Sequence, residues 1–582
     1  MTLSPPWLAG YQRRNLTADV MAGVIVTVLV IPQSLAYALL AGLPPQAGLY
    51  ASVVPVLVYA WLGSSMTQAV GPVAITAIMT FAVLSPLAQA GSAAYAALAA
   101  VLALLSGVLI LTVGMLRLGF LSQLLSRPVV SGFISGSAVL IVISQLKFLL
   151  GVPVASASSA ATLAALWAQL PNTDPRTLGL SSTALVWLLL SRFGLARLAM
   201  AWGARRSQVD FAVRVMPLIV LALATATVTL WSLDVPTGAQ RAVAVVGSVS
   251  DELAPIRLVL PDMVSLQALA TPALILAFIG MVQNITMAQA LAVKRRERVD
   301  ANRELVGLGA SNMAAAFFGG MPVGGGLSRS AINTAAGAQT PLASVVAALC
   351  MGAVVLMGTQ WLSRMPLAVL ASSIVVAALG MIDLAALRQA WNYDRADGMA
   401  LLGTALGVLV LGLQLGIALG VCLSLATLLW RASTPHIAVI GRIAGTEHFR
   451  NVQRHDVVTI AGVLFLRIDE SLFFGNLSAV EARLAAELIA RAPIHDVVLI
   501  MSAVNRVDAT AMQLLCDTNT DLLERGIRLH LAEVKGPVQD RLMKSPLWEK
   551  LSGQVHLSVN EAFELLAKPT DKSQAFVTGK TG

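Results

Sequence analysis

The sequence predicts a polytopic α-helical membrane protein with a small α/β domain at its C-terminal end, and three observations predict it. Of 582 residues, 57% are hydrophobic and only 12% charged, with a mean hydropathy of +0.78; soluble domains carry roughly a quarter charged residues. Apolar runs of about 20 residues, the length that crosses a bilayer as a helix, recur from Val20 to Trp430. Beyond Arg431 the texture changes. Charge and short strand-like runs appear there, and all six histidines (His436, His448, His455, His495, His530, His556) lie in that part.

The start, MTLSPPWLAGYQRRNL, does not read as a cleavable signal, because Arg13 and Arg14 precede a long span with no small-residue cleavage pattern. Further basic clusters follow at Arg192, Arg197, Arg205, Arg206 and Arg214, and at Lys294, Arg295, Arg296 and Arg298. The stretch from Asp234 to Asp262 holds Asp251 and Glu252 but only two arginines. Cytoplasmic loops collect Lys and Arg, so the clusters belong inside; this asks for an even number of spans and puts both termini in the cytoplasm. The apolar segments count to between 12 and 14 spans, several of them short or interrupted. The same rule accounts for most of the net charge of +9 without nucleic acid as a partner. Cys350, Cys422 and Cys516 are scattered packing residues rather than a disulfide framework or zinc site. No Ser-His-Asp set, metal cluster or phosphate loop is present, so neither an enzyme nor a cofactor is expected.

Two interrupted segments stand at matching places. TQAVGPVAITAIMT puts Gly71-Pro72 before a short apolar helix, and GGMPVGGGLSRSAINTAAG again puts glycine and proline before a short helix. Pro72 and Ser328 are 256 positions apart, and Gln33 of IPQSLAYA and Gln283 of MVQNITMA are 250 apart. Broken hydrophobic segments at corresponding places in two halves point to an inverted-repeat transporter with a binding site at the membrane midplane. Two half-helices starting there aim unpaired N–H groups and positive dipole ends at one spot. Arg329, near the start of the second, adds a full charge that is costly in a membrane. No acidic residue lies close to it in sequence, so its natural partner is a bound anion. Pro32 by itself accounts for a break in the first span.

In the tail, VVTIAGVLFLRI, DVVLIMSAV and IRLHLAEV read as strands. SAVEARLAAELIARA, DATAMQLLCDTNTDLLERG and PVQDRLMKSPLWEKLSG read as amphipathic helices. The alternation predicts an α/β domain of roughly 130 residues, large enough to fold alone.

The motifs VIPQSLAYALLAGLPPQAGLYASVVPVLVYAWLGSS, GPVAITA and NRELVGLGASNMAAAFFGGMPVGGGLSRSAINTAAGAQTPL, followed by the α/β domain, resemble the SulP sulfate-permease family from about Leu16 to Leu566. The resemblance implies about fourteen spans in two inverted repeats of seven, forming a core domain that moves against a gate domain. It also implies a homodimer and a tail that is a cytoplasmic STAS domain. The domains expected are a membrane transporter at 1–434, the STAS domain at 435–567 and a disordered tail at 568–582. The family's anion site, carried over, falls on Val73, Ala74, Ser328 and Arg329, with Gln33 and Tyr37 of the first span alongside. Gln33 offers amide donors, Tyr37 a hydroxyl and Arg329 a fork suited to oxyanions.

Two departures from the family pattern bear on mechanism. Gln283, in FIGMVQNITMAQA, stands where prokaryotic relatives commonly carry an acidic residue associated with cation coupling, and Gln289 replaces a lysine. No Asp or Glu lies between Val20 and Thr173, and the membrane part has no histidine. Obligate proton or sodium symport is therefore not expected, with Glu304 at a helix end as the remaining acid. In NRVDATAM, Ala509 takes the place of the serine that bacterial STAS regulators phosphorylate, which leaves a folding, dimerisation or protein-interaction module. The resemblance implies a secondary transporter of a small inorganic anion in the bacterial inner membrane, with sulfate the leading substrate. Bicarbonate, a dicarboxylate or chloride exchange are the alternatives within the fold, and a non-transporting anion sensor signalling through the tail is the alternative outside it.

Overall fold

The computed structural model describes residues 5–120, 126–154, 159–191, 206–236, 242–247, 262–356, 360–567 and 577–578. Arg192, Arg197, Arg205, Asp251 and Glu252 lie outside the described residues, as do the side chains of Arg206, Arg214 and Lys294. The chain divides into two compact units, Met1–Ser424 and Leu425–Gly582.

The first unit is helical. Among the described residues seven helices have the length and composition to cross a membrane, and shorter apolar helices add Ala74–Leu84, Val215–Leu230 and Leu342–Leu356. The first span, Leu16–Leu40, runs unbroken through Pro32, and Met263–Arg295 runs unbroken through Pro272. Proline removes one N–H and crowds the preceding turn, but neighbouring helices hold the two halves in line. The break expected at Pro32 is absent. Chain breaks fall instead at the two glycine-proline segments.

There the backbone forms two short strands, β1 (Val70–Gly71) and β2 (Gly324–Gly325), which pair antiparallel with Val70 opposite Gly325 and Gly71 opposite Gly324. Each leads into a half-helix, Ala74–Leu84 after β1 and Leu327–Ala335 after β2. The pairing satisfies extended backbone that hydrocarbon would leave without partners. Asn312 of the helix Ala301–Phe317 clamps the approach to β2. Its Oδ1 accepts from Val323 N at 2.9 Å, and its Nδ2 donates to Val323 O at 3.0 Å. That helix packs on Ala93–Met115 and Val54–Leu62, and the first span packs on Leu342–Leu356. A second group forms where Arg127–Leu150 packs on Leu367–Leu379 and Arg395–Leu411.

The second unit is an α/β domain. Its strands are β3 (Ile437–Arg442), β4 (Phe449–Asn451), β5 (Val458–Thr459), β6 (Val463–Ile468), β7 (Asp496–Ile500), β8 (Arg528–Ala532), β9 (Val555–His556) and β10 (Val577–Thr578). The order is β10-β5-β3-β6-β7-β8-β9, with β4 beside β3 and the run β6 to β9 parallel. VVTIAGVLFLRI, read as one strand, divides at Ala461-Gly462 into β5 and β6. PVQDRLMKSPLWEKLSG divides into Gly536–Leu542 and Pro546–Lys550, because a proline cannot continue the helix before it. Most of the tail expected to be disordered lies outside the described residues, but Val577 and Thr578 pair with β5, whose edge offers open backbone groups.

At the end of this sheet sits a buried polar cluster. Asp496 accepts a bidentate pair from Arg528 at 2.8 and 3.0 Å, and lies 3.0 Å from His530 Nε2. The backbone N–H of Gln554 donates to His530 Nδ1 at 3.1 Å, so Nε2 carries the proton given to Asp496. Burial works to raise the Asp496 carboxyl, yet the hydrogen bonds from His530 and Arg528 outweigh it and hold it below the usual carboxylate range. Burial, with His530 stacked alongside, holds His556 below its ordinary 6.5. Both groups bind protons less readily folded than unfolded, so their stabilisation is complete above 6.5 and is lost as pH falls. Amide hydrogen exchange at β8 and β9 in the full-length protein, corrected for intrinsic rates, is expected to quicken below that pH. In His556→Gln the histidine part of that acceleration disappears.

Candidate functional site

The two half-helices begin next to each other at the strand pair, and neither has a side-chain cap. The N-terminal residues Val73 and Gly326 are both extended, and among the described residues no side chain caps the first N–H groups. Those groups keep their partial positive charge. The Val73 side chain packs over Gly324 and Gly326, which seats the first break against the second. Ala74 opens the first half-helix.

Arg329 lies in the first turn of the second half-helix and is 4% exposed. Its Nη2 donates to Ser34 Oγ at 3.1 Å and to Ser52 Oγ at 3.4 Å, while Nη1 reaches Ser52 Oγ at 3.5 Å. The two serines bond each other at 2.8 Å, and Ser52 Oγ also meets Gly48 O at 2.8 Å. The guanidinium lies close against Gly71 of β1. A Cβ on Gly71 would sit 2.0 Å from Nη1 and 2.6 Å from Cζ, so only glycine admits the arginine there. Among the described residues Nε is buried with no partner and no carboxylate pairs with the group. Neutral hydroxyls orient the cation without cancelling its charge.

The remaining candidates fall into two places. Gln33 Nε2 donates to the Tyr37 hydroxyl at 2.9 Å, and its Oε1 is buried without a partner among the described residues. Gln283 faces a small cavity shared with Ile75 of the first half-helix and with Val130, Phe133 and Ile417; its Oε1 also has no partner among the described residues. Arg329 lines a separate small crevice with Val30, Ser52, Val70, Ser344 and Met351. The structure thus places Gln33 and Tyr37 on the same helix as Ser34, which holds Arg329, and sets Gln283 on a different cavity from Arg329. The side chain of Ser328 lies outside the described residues.

Ser34 and Ser52 escape sequence reasoning, and Gly71, read there only as a helix breaker, turns out also to seat the arginine. Ser34 stands beside Gln33 in PQSLAYA, but 277 positions separate Ser52 from Arg329, and no local pattern links them. The signal available was the lack of any charged alternative near the arginine.

Broken helices crossing inside a helical membrane unit, with an α/β domain appended, define a multi-pass carrier of the anion-transporter class. The chain belongs to the sulfate permease family, whose model matches residues 16–404, with a STAS domain matching residues 454–562. It is 34% identical over 554 residues to a probable sulfate transporter of Mycobacterium tuberculosis, covering 94% of each chain. It is 32% identical over 599 residues to probable sulfate transporter 4.2 of Arabidopsis thaliana, covering 98% of this chain and 84% of that one. The murine solute carrier 26 family member A9 anion transporter, in its inward-facing state, superposes with a TM-score of 0.86 at 23% identity, covering 97% of this chain and 94% of that one. The transmembrane domain of a cyanobacterial bicarbonate transporter superposes with a TM-score of 0.59 at 22% identity, covering 70% of this chain and 98% of that one. The membrane unit has the inverted-repeat fold of seven plus seven spans, and the second unit is a STAS domain.

Proposed function

We propose that this chain is a secondary transporter that carries an inorganic anion, sulfate before others, across a bacterial inner membrane. One observation carries the reading: a buried arginine with no carboxylate partner among the described residues stands at two helix starts that no described side chain caps. Two positive helix ends and a guanidinium make a site for negative charge that water does not compete for. The relatives' description as sulfate transporters puts sulfate first. Backbone dipoles and one cation read charge better than shape, so bicarbonate, dicarboxylates and chloride belong in the same test. In this reading Arg329, Val73, Ala74, Ser328, Tyr37 and Gln33 form the site, Gln283 lines the approach, and the group around the strand pair moves as an elevator. The chain works as a homodimer with both termini and the STAS domain in the cytoplasm, where that domain serves as an interaction module.

Coupling follows from charge. With Gln283 neutral, loading an anion adds net negative charge to the moving part, and no carboxylate at that position takes up a proton to offset it. Purified protein in proteoliposomes is expected to accumulate labelled sulfate under an inside-positive potential or against a counter-anion, and to accumulate little under a pH gradient alone. Strong proton-driven accumulation would overturn this coupling. A panel of labelled anions without any uptake would leave an anion sensor.

A further inference from the structure

Glu304 is fully buried in the first turn of the helix Ala301–Phe317, and its carboxylate collects five donors. Oε1 accepts from Ser64 N, Ser65 N and Ser64 Oγ, each at 2.8 Å. Oε2 accepts from the Tyr59 hydroxyl and from Asn284 Nδ2 at 3.3 Å. Two of the donors are backbone N–H groups and a third is an amide NH₂, none of which can accept a proton in return. The charged groups nearby are otherwise engaged. Asp300 caps the same helix through Asn302 N and Arg303 N, and Arg303 Nε donates to Leu62 O. Tyr59 is the one titratable group in hydrogen-bond contact with the carboxylate among the described residues.

From Glu304 a chain of amides leads to the strand pair. Because Oε2 takes the Asn284 Nδ2 proton, Asn284 Oδ1 is left to accept from Gln68 Nε2, at 2.6 Å. Gln68 Nε2 also reaches Asn284 O at 3.3 Å, and Gln68 Oε1 is buried with no donor. This amide pair lies directly on β2. A Cβ on Gly325 would be 2.3 Å from Gln68 Nε2 and 2.6 Å from Asn284 Oδ1, one residue before the second half-helix is capped by Gly326. Gln68 Nε2 is thus held by the side-chain and backbone oxygens of Asn284, while its Oε1 is left with no donor among the described residues.

We propose that Glu304 is a positioning residue: an acceptor-only anchor that sets the hydrogen-bond direction of Asn284 and Gln68 and so seats β2 at the anion site, rather than a carrier of protons. The inference rests on the reading of that site given above. Glu304→Gln keeps the shape but places an NH₂ among five donors. The arrangement with fewest conflicts turns that NH₂ toward Asn284, which forces Asn284 to reverse; Gln68 then either faces the Asn284 NH₂ with its own or turns its oxygen on the Asn284 backbone carbonyl, and either way the amide pair packed on Gly325 is disturbed.

The test is sulfate binding to purified full-length protein across pH 5 to 8, about the range in which a coupling proton would exchange. Parent affinity is expected to be flat in pH. Glu304→Gln and Gln68→Met are each expected to weaken binding about tenfold, and the double variant no more than either alone, since both break one chain. Glu304→Asp, which keeps the charge, is expected to restore part of the affinity. Parent binding that varies with pH and loses that dependence in Glu304→Gln would make Glu304 a proton carrier and overturn the proposal. Unchanged affinity in folded Gln68→Met would overturn it as well, even if Glu304→Gln fails to insert. A parent that binds none of the anions in the panel would count against the site reading itself.

Discussion

Arg329→Ala is expected to insert and fold, yet to bind and carry its anion far more weakly than the parent. Folding survives because the arginine's partners do not depend on it. Ser34 and Ser52 remain bonded to each other at 2.8 Å, and Ser52 keeps Gly48 O, so no hydroxyl is stranded. What disappears is the full positive charge beside the two helix starts, leaving only dipoles. Truncating one partner of a desolvated charge pair costs about 2–5 kcal/mol, or roughly 30- to several-thousand-fold in affinity. Arg329→Lys keeps the charge on a single point that cannot reproduce the fork on two serines, so an intermediate loss is expected. Sulfate titrations and uptake on monodisperse protein measure both. Parental affinity in folded Arg329→Ala would remove the arginine from the site.

Gly71→Ala is expected to do comparable damage through a residue that touches no anion. The added methyl would occupy a point 2.0 Å from Nη1, inside the guanidinium. Either β1 shifts away from β2, or the arginine gives up Ser34 and Ser52 and moves off its seat. Overpacking of this kind costs about 1–3 kcal/mol in stability, and the displaced charge costs affinity in addition. A double variant separates the two effects. With Arg329→Ala present the space is vacant, so Gly71→Ala should then lower the melting temperature much less than it does in the parent. Equal destabilisation in both backgrounds would show that the glycine is needed for the strand alone.

The interrupted segments were legible because glycine and proline disrupt a helix wherever they fall, and both half-helices begin where TQAVGPVAITA and GGMPVGGGLSRS place them. Pro32 misled for the same reason, since a proline in a packed bundle need not end a helix. In the tail, the strand cores at β6, β7 and β8 follow from β-branched and aliphatic runs. Short strands such as β4 and β9 have no such run, and exist because a neighbouring edge has backbone groups to offer.

Composition alone determined that this chain crosses a membrane many times, and spacing alone determined that two of its helices are broken in corresponding places. Both are properties of single segments, set by apolar transfer and backbone sterics. Which side chain holds Arg329, why position 71 must be glycine, and that Glu304 is tied through Asn284 and Gln68 to β2 were decided only by tertiary structure. Those contacts join residues between 20 and 295 positions apart through hydrogen bonds and steric limits that act at a few ångströms. No local pattern encodes them, because each residue type is ordinary until the fold brings its partner within reach.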